Sequence, residues 1–329
     1  LKFPKILLFG AIGLFAVIGA VALFKKKEPA QVAQTVGKGA RAPSIKKEIR
    51  PEKIVLTQNK TLTKAEIADD FPVIDRMFQL FTTGPTKLPI VETVTYSSSV
   101  PWLKGRPAWI ADYATYYATS RHFIARGLNG KADYFTQKIA PGSKFNVFRK
   151  DKEIHFYLLV DVSRSKMGLY YLDLETKERL LLKTYQVGLG RLDQQSASGS
   201  LTPVGIYSLG SKIAVYKPGS TGIFRDQKIE MISVFGTRWI PFHEALEGSP
   251  PVKGYGIHGA PWTLDSKTGQ FVENRDCLGR YESDGSILLS AEDMEELFSI
   301  IITKPSFVVI VKDFHAARLP GIEVATPTR

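Results

Sequence analysis

The residues that could do chemistry gather between Gly256 and Phe298. Gly256-Ile257-His258-Gly259 puts a histidine at the end of an apolar strand. Ser283-Asp284-Gly285-Ser286-Ile287 supplies a glycine-containing turn with small hydroxyl residues, just ahead of a capped helix. A histidine and such a turn are the pattern of general base plus nucleophile, so the chemistry would be covalent catalysis by Ser286 with His258 as its base. The chain's only cysteine, Cys277, lies between the two and is the alternative nucleophile. Its flanks oppose that role, because Asp276 sets an anion beside the sulfur and disfavours the thiolate. The other histidines, His122, His155, His243 and His315, match no ligand spacing, so the sequence points to no metal and no cofactor.

On these residues the chain resembles the L,D-transpeptidase catalytic domain, whose signature is a His-Gly, a variable loop, and then Ser-x-Gly-Cys-hydrophobic-Asn/Arg ahead of a helix. Ser283, Asp284, Gly285 and Ile287 fall in that frame, with Ser286 in the nucleophile place and Leu288 in the Asn/Arg place. In the Cys277 register the loop after His258 has 15 residues (259–273), which suits the family, but Asp276 and Gly279 replace its Gly and Asn/Arg. In the Ser286 register it has 24 residues (259–282). Loops absorb insertions more readily than catalytic turns absorb wrong residues, which places the slot at Ser286. Thr202-Pro203-Val204-Gly205 is similar to a second family motif, a Thr-Pro-x-Gly turn ahead of the His-Gly.

The resemblance implies an enzyme that attacks the third-residue carbonyl of a peptidoglycan tetrapeptide stem, expels D-alanine and passes the acyl group to an amine. His258 would be the base, with the Gly259 carbonyl orienting its other ring nitrogen. Backbone N–H groups around Gly285 and Ser286 would form the oxyanion hole. A serine hydroxyl is far less ionised than a thiol, and a serine site usually has a carboxylate behind its histidine. The alternative to a peptidoglycan transferase or hydrolase is therefore a stem-peptide-binding protein that keeps the cleft and has lost turnover.

The elements that must position these residues come from hydrophobic pattern. His155 to Val162, Gly168 to Leu174 and Arg179 to Val187 read as strands parted by polar turns, and Ile232 to Phe235 and Trp239 to Phe242 read as further strands. Ser290 with Asp293 caps a helix whose Met294, Leu297, Phe298 and Ile301 share one face. Pro305 stops that helix, and Ser306 to Val311 returns as a buried strand. The expected catalytic-type domain, 154–313, is mainly β with one packed helix.

Ahead of it, 90–150 reads as strand (Ile90 to Tyr96), two short helices parted near Ala118-Thr119-Ser120, and strand (Phe145 to Phe148). That small α+β unit resembles the lysin motif on Tyr113-Ala114, Tyr117-Ala118-Thr119-Ser120, Leu128-Asn129-Gly130 and Pro141-Gly142, which implies contact with glycan strands; a packing subdomain is the other reading. A helical connector (61–89) with a helix from about Val73 to Phe81 precedes it, and 314–329 reads as a loose tail.

Charge is uneven: residues 1–60 carry twelve Lys/Arg and three Glu, so +9 of the net +12 lies there. The remainder is only mildly basic, which argues against nucleic acid as the main partner. Ile6 to Phe24 is an apolar run of 19 residues, enough to span a bilayer, and 28–60 reads as a disordered tether. Residues 1–27 are thus an N-terminal membrane helix, or a signal segment. With a peptidoglycan substrate, the folded part would stand on the periplasmic side of the inner membrane.

Overall fold

The computed structural model describes residues 71–130 and 139–324. The apolar run 6–24, the tether 28–60 and the start of the connector lie outside the described residues. Among the described residues no helix is long and apolar enough to cross a membrane.

The expected connector helix is shorter than its pattern suggests, with α1 spanning only Phe78–Phe81. Residues 74–76 run instead along the open edge of a later strand, where Thr184 N–H donates to Ile74 O (2.9 Å) and Arg76 N–H donates to Leu182 O (2.8 Å). A bulge at Leu182 frees that carbonyl, and an unpaired sheet edge outcompetes a short helix for backbone partners. The small unit follows as expected: β1 (Val91–Thr95), α2 (Ile110–Tyr116), α3 (Arg121–Asn129) and β2 (Lys144–Phe148), with β1 and β2 antiparallel. Ala118, at φ 46°, makes the break, and Ser120 Oγ accepts from Phe123 N–H to cap α3.

The remaining strands are β3 (Ile154–Asp161), β4 (Lys166–Asp173), β5 (Glu178–Gln186), β6 (Leu189–Gly190), β7 (Gly205–Leu209), β8 (Ala214–Val215), β9 (Thr221–Phe224) and β10 (Gln227–Glu230). After helix α4 (Ile232–Phe235) come β11 (Arg238–Leu246), β12 (Gly256–Gly259), β13 (Trp262–Leu264), β14 (Phe271–Glu273), β15 (Tyr281–Ser283) and β16 (Ile287–Leu289). Helix α5 (Ala291–Ile301), β17 (Ser306–Val311) and β18 (Ile322–Glu323) complete the described chain. A ten-stranded sheet runs β16-β12-β11-β7-β17-β3-β4-β5-β18, with β8 on β11. Its centre, β3 beside β17, is buried along its whole length, which is why both strands are continuous apolar runs rather than alternating ones.

Three further expectations change. Ile232 to Phe235 is helical, not a strand: its β-branched residues suggest extension, but Gly236 N–H closes onto Ile232 O (3.2 Å) and Gly236, at φ 60°, ends the turn. A Cβ on Gly236 would lie 2.6 Å from Ala260 O, so the turn end packs directly on the backbone after His258. Residues 314–324 are not a loose tail, because β18 pairs with β5 and Arg179 Nη1 donates to the carbonyls of Leu319, Pro320 and Gly321.

The third change concerns α5, whose apolar face is buried as expected but which also buries Glu296, Ser299 and Ile300. Helix α3 covers that second side, with Ser120 Oγ on Ser299 O and the His122 ring 5.3 Å from Phe298. Glu296 is tolerated there because Lys183 Nζ reaches it at 2.7 Å. Ser290 Oγ accepts from Asp293 N–H at 3.1 Å and caps α5 directly after β16. Ser290→Ala is expected to cost about 1 kcal/mol in urea unfolding, as loss of an N-cap does.

Candidate active site

Strand β12 lies between β11 and β16, with His258 aligned to Trp239 on one side and to Leu288 on the other. Phe235 of α4 meets the His258 ring edge-on at 5.4 Å and Trp239 lies at 5.7 Å, so the imidazole is only 6 % exposed. Burial lowers its pKa to about 4, which keeps it neutral at pH 7. His258 Nδ1 lies 2.9 Å from Gly259 O. A carbonyl only accepts, so Nδ1 carries the proton and Nε2 keeps the lone pair that a general base needs.

The Gly259 carbonyl thus lies where it holds this tautomer of the ring. The pattern missed the lid over the histidine, because α4 reads as a strand and Phe235 as one more core residue.

The slot turn is stapled by Ser283. Its Oγ accepts from Gly285 N–H (3.1 Å) and donates to Ser286 O (2.6 Å). Gly285 is buried at φ 117°, a conformation that only glycine adopts without strain. Ser286 is half-buried, immediately before β16. The register of β12 on β16 makes Ser286 a diagonal neighbour of His258, two positions before Leu288. Among the described residues no hydrogen bond joins Ser286 Oγ to the His258 ring. The Gly285 N–H, expected as an oxyanion donor, already donates to Ser283 Oγ, which leaves the Ser286 N–H as the turn's candidate donor.

Two motifs distant in sequence converge on β6. Gly190 N–H donates to Thr202 Oγ1 (2.8 Å), Arg191 N–H donates to Ser283 O (2.9 Å), and Leu201 N–H donates to Arg191 O (2.8 Å). The Thr-Pro-x-Gly turn is therefore a brace for the nucleophile turn.

Cys277 ends a 3-10 turn, Arg275–Cys277, and packs with Ala260 and Leu288. Its Sγ lies 3.5 Å from Asn274 O. Burial, with Glu282, Glu273 and Asp276 adding to it, pushes the thiol pKa up to about 11. The anion effect expected from Asp276 is present, but burial outweighs it, and the thiol stays protonated at neutral pH.

At the mouth, Asp284 pairs with Arg191 Nη2 (2.7 Å) and with Arg225 at the tip of the β9–β10 hairpin. The ring of Tyr255 lies over Gly285, where an added Cβ would fall 2.3 Å from Tyr255 Cε1. Sequence reasoning placed Asp284 in the turn but missed Arg191, Arg225 and Tyr255. The flanking segments Thr221–Phe224 and Gln227–Glu230 do not alternate, and the Asn-Gly or Asp-Gly marker of a hairpin is absent, so no local signal was available. Among the described residues no group of three or more His, Cys, Asp or Glu is arranged to hold a metal ion.

The small unit carries an open groove of about 510 Å³ lined by Thr95, Ser97, Trp102, Tyr113, Tyr116 and Tyr117, among others. Tyr116 stacks on Trp102 (4.4 Å) and holds Lys150 Nζ 3.7 Å from its ring centre.

The site thus brings together a buried neutral histidine and a glycine turn that carries Ser286. Residues 155–310 match the model of the YkuD family, the L,D-transpeptidase catalytic domain. Among solved structures the chain is similar to the helical cell shape determining protein Pgp2 of Campylobacter jejuni, at 16% identity and a TM-score of 0.33, over 52% of this chain and 51% of that one. It is also similar to Bd1075 of Bdellovibrio bacteriovorus, at 15% identity and a TM-score of 0.33, over 48% of each chain. The chain thus spans about half the length of these solved relatives. No curated protein matches it.

Proposed function

We propose that the cleft of the 155–310 domain binds peptidoglycan stem peptides without turning them over. The observation that carries this reading is Ser286: it stands in the nucleophile place, not bonded to its base, while the chain's one thiol lies elsewhere, buried and protonated. Acyl transfer needs a nucleophile that attacks the stem carbonyl and a base that takes its proton. A thiol near its pKa comes close to doing the first alone, whereas a serine depends wholly on the base. Here that base is backed by the Gly259 carbonyl, which cannot stabilise an imidazolium as a carboxylate does.

Turnover through Ser286 is the second reading, favoured by the Nε2 lone pair. Isothermal titration of the full chain, in detergent, with a soluble tetrapeptide stem is expected to show saturable one-to-one binding with no released D-alanine. An absence of binding up to millimolar peptide would remove the proposal. D-alanine release that Ser286→Ala abolishes would replace it with the serine enzyme.

A further inference from the structure

Asp284 sits inside the nucleophile turn, and its two carboxylate oxygens each take a different guanidinium: Arg191 on Oδ1 at 2.7 Å and Arg225 on Oδ2. The two arginines come from separate elements, and both are mounted on the site itself. Arg191 has its backbone fixed on both sides, its N–H on Ser283 O and its carbonyl under Leu201 N–H. Arg225 occupies the hairpin turn, with its guanidinium 5.2 Å from the Phe224 ring. Phe224 meets Phe235 at 5.3 Å, and Phe235 is the residue that lids His258.

Among the described residues Asp284 is the only carboxylate that either arginine pairs with. Two guanidinium groups against one carboxylate leave a net positive charge beside Ser286. Guanidinium forks are the side chains best matched to carboxylate geometry. Arg191, Arg225 and Asp284 are 62%, 67% and 48% exposed, and exposed ion pairs contribute little net stability, so an outside carboxylate can exchange with the internal one.

We propose that Arg191 and Arg225 form a carboxylate-reading clamp at the mouth of the Ser286 slot, with Asp284 as an internal stand-in that a ligand carboxylate displaces. The ligand class is a peptide ending in a free carboxylate. The inference rests on the stem-peptide reading of the cleft and adds to it the residues that select the ligand's charged end.

The test compares a tetrapeptide stem with its C-terminal amide in titrations of the full chain. The free acid is expected to bind about tenfold tighter than the amide, the scale of charge-assisted hydrogen bonds. Arg191→Gln and Arg225→Gln should each bring the acid down towards the amide's affinity and leave the amide unchanged. Asp284→Asn should tighten the acid several-fold, because its internal competitor is gone. All three side chains are exposed, so folding is not at stake. Equal affinity for acid and amide, or weaker acid binding in Asp284→Asn, would overturn the clamp while the peptide cleft stands. Binding of neither peptide would overturn the cleft reading and the clamp together.

Discussion

Gly285→Ala should destabilise the protein by about 4 kcal/mol and displace Tyr255 from the nucleophile turn. Two effects combine. Alanine at φ 117° is strained by about 1–3 kcal/mol. Its Cβ would also fall 2.3 Å from Tyr255 Cε1 and 2.9 Å from Leu201 O, and overpacking of a tight site costs a further 1–3 kcal/mol or so. Tyr255 can swing aside, but the Leu201 carbonyl is backbone on the brace that joins the Thr202 turn to β6, so the turn itself must move. In thermal unfolding the loss corresponds to roughly 10 °C for a folded part of this size. Gly248→Ala is the matched control. Its φ is also positive, at 76°, but nothing lies within 4 Å of its Cβ, so only the conformational strain of about 1 kcal/mol is expected. Equal losses in the two variants would mean that the turn is not packed as described.

Stability should also fall as pH drops from about 6.5 to about 4, and His258 should account for much of the slope. In the unfolded chain the imidazole protonates near 6.5; in the folded chain burial lowers that to about 4. Between those values the unfolded state holds the extra proton, so unfolding is favoured progressively as pH falls through the window. Above 6.5 the histidine is neutral in both states, and below 4 it is charged in both, so the slope it contributes vanishes outside. The separation corresponds to about 3 kcal/mol across the window, at roughly 1.4 kcal/mol per tenfold change. Urea unfolding at pH 7 and at pH 4.5 measures it, and His258→Gln should flatten the difference whatever it does to stability at pH 7. An unchanged pH slope in that variant would contradict the buried, neutral state.

What was legible in the sequence was whatever local chemistry dictates. Ser290 with Asp293, the 118–120 break and the apolar strands of the central sheet follow from capping and period. The His258-Gly259 and Ser283 to Ser286 stretches stood out as a base-and-nucleophile pattern in the frame of a family signature. What was hidden depends on distant partners. Residues 74–76 leave a helical pattern to fill the edge beside a bulge at Leu182, and Ile232 to Phe235 coils because Gly236 must press against Ala260. Arg191 and Arg225 stand 34 residues apart and meet only on Asp284, so no local pattern joins them. The failure at α4 mattered most, since it hid the lid on the base.

In the proposed reading the cleft is intact and lacks only a competent nucleophile. Muropeptide product analysis tests it most directly, with the full chain and its Ser286→Cys variant each incubated with tetrapeptide-stem peptidoglycan. No new product is expected from the unmodified chain, and Ser286→Cys should give released D-alanine or cross-links between third-position residues, because the neutral His258 can then draw a proton from a thiol. Products from the unmodified chain that disappear in Ser286→Ala would contradict it and make the serine a working nucleophile.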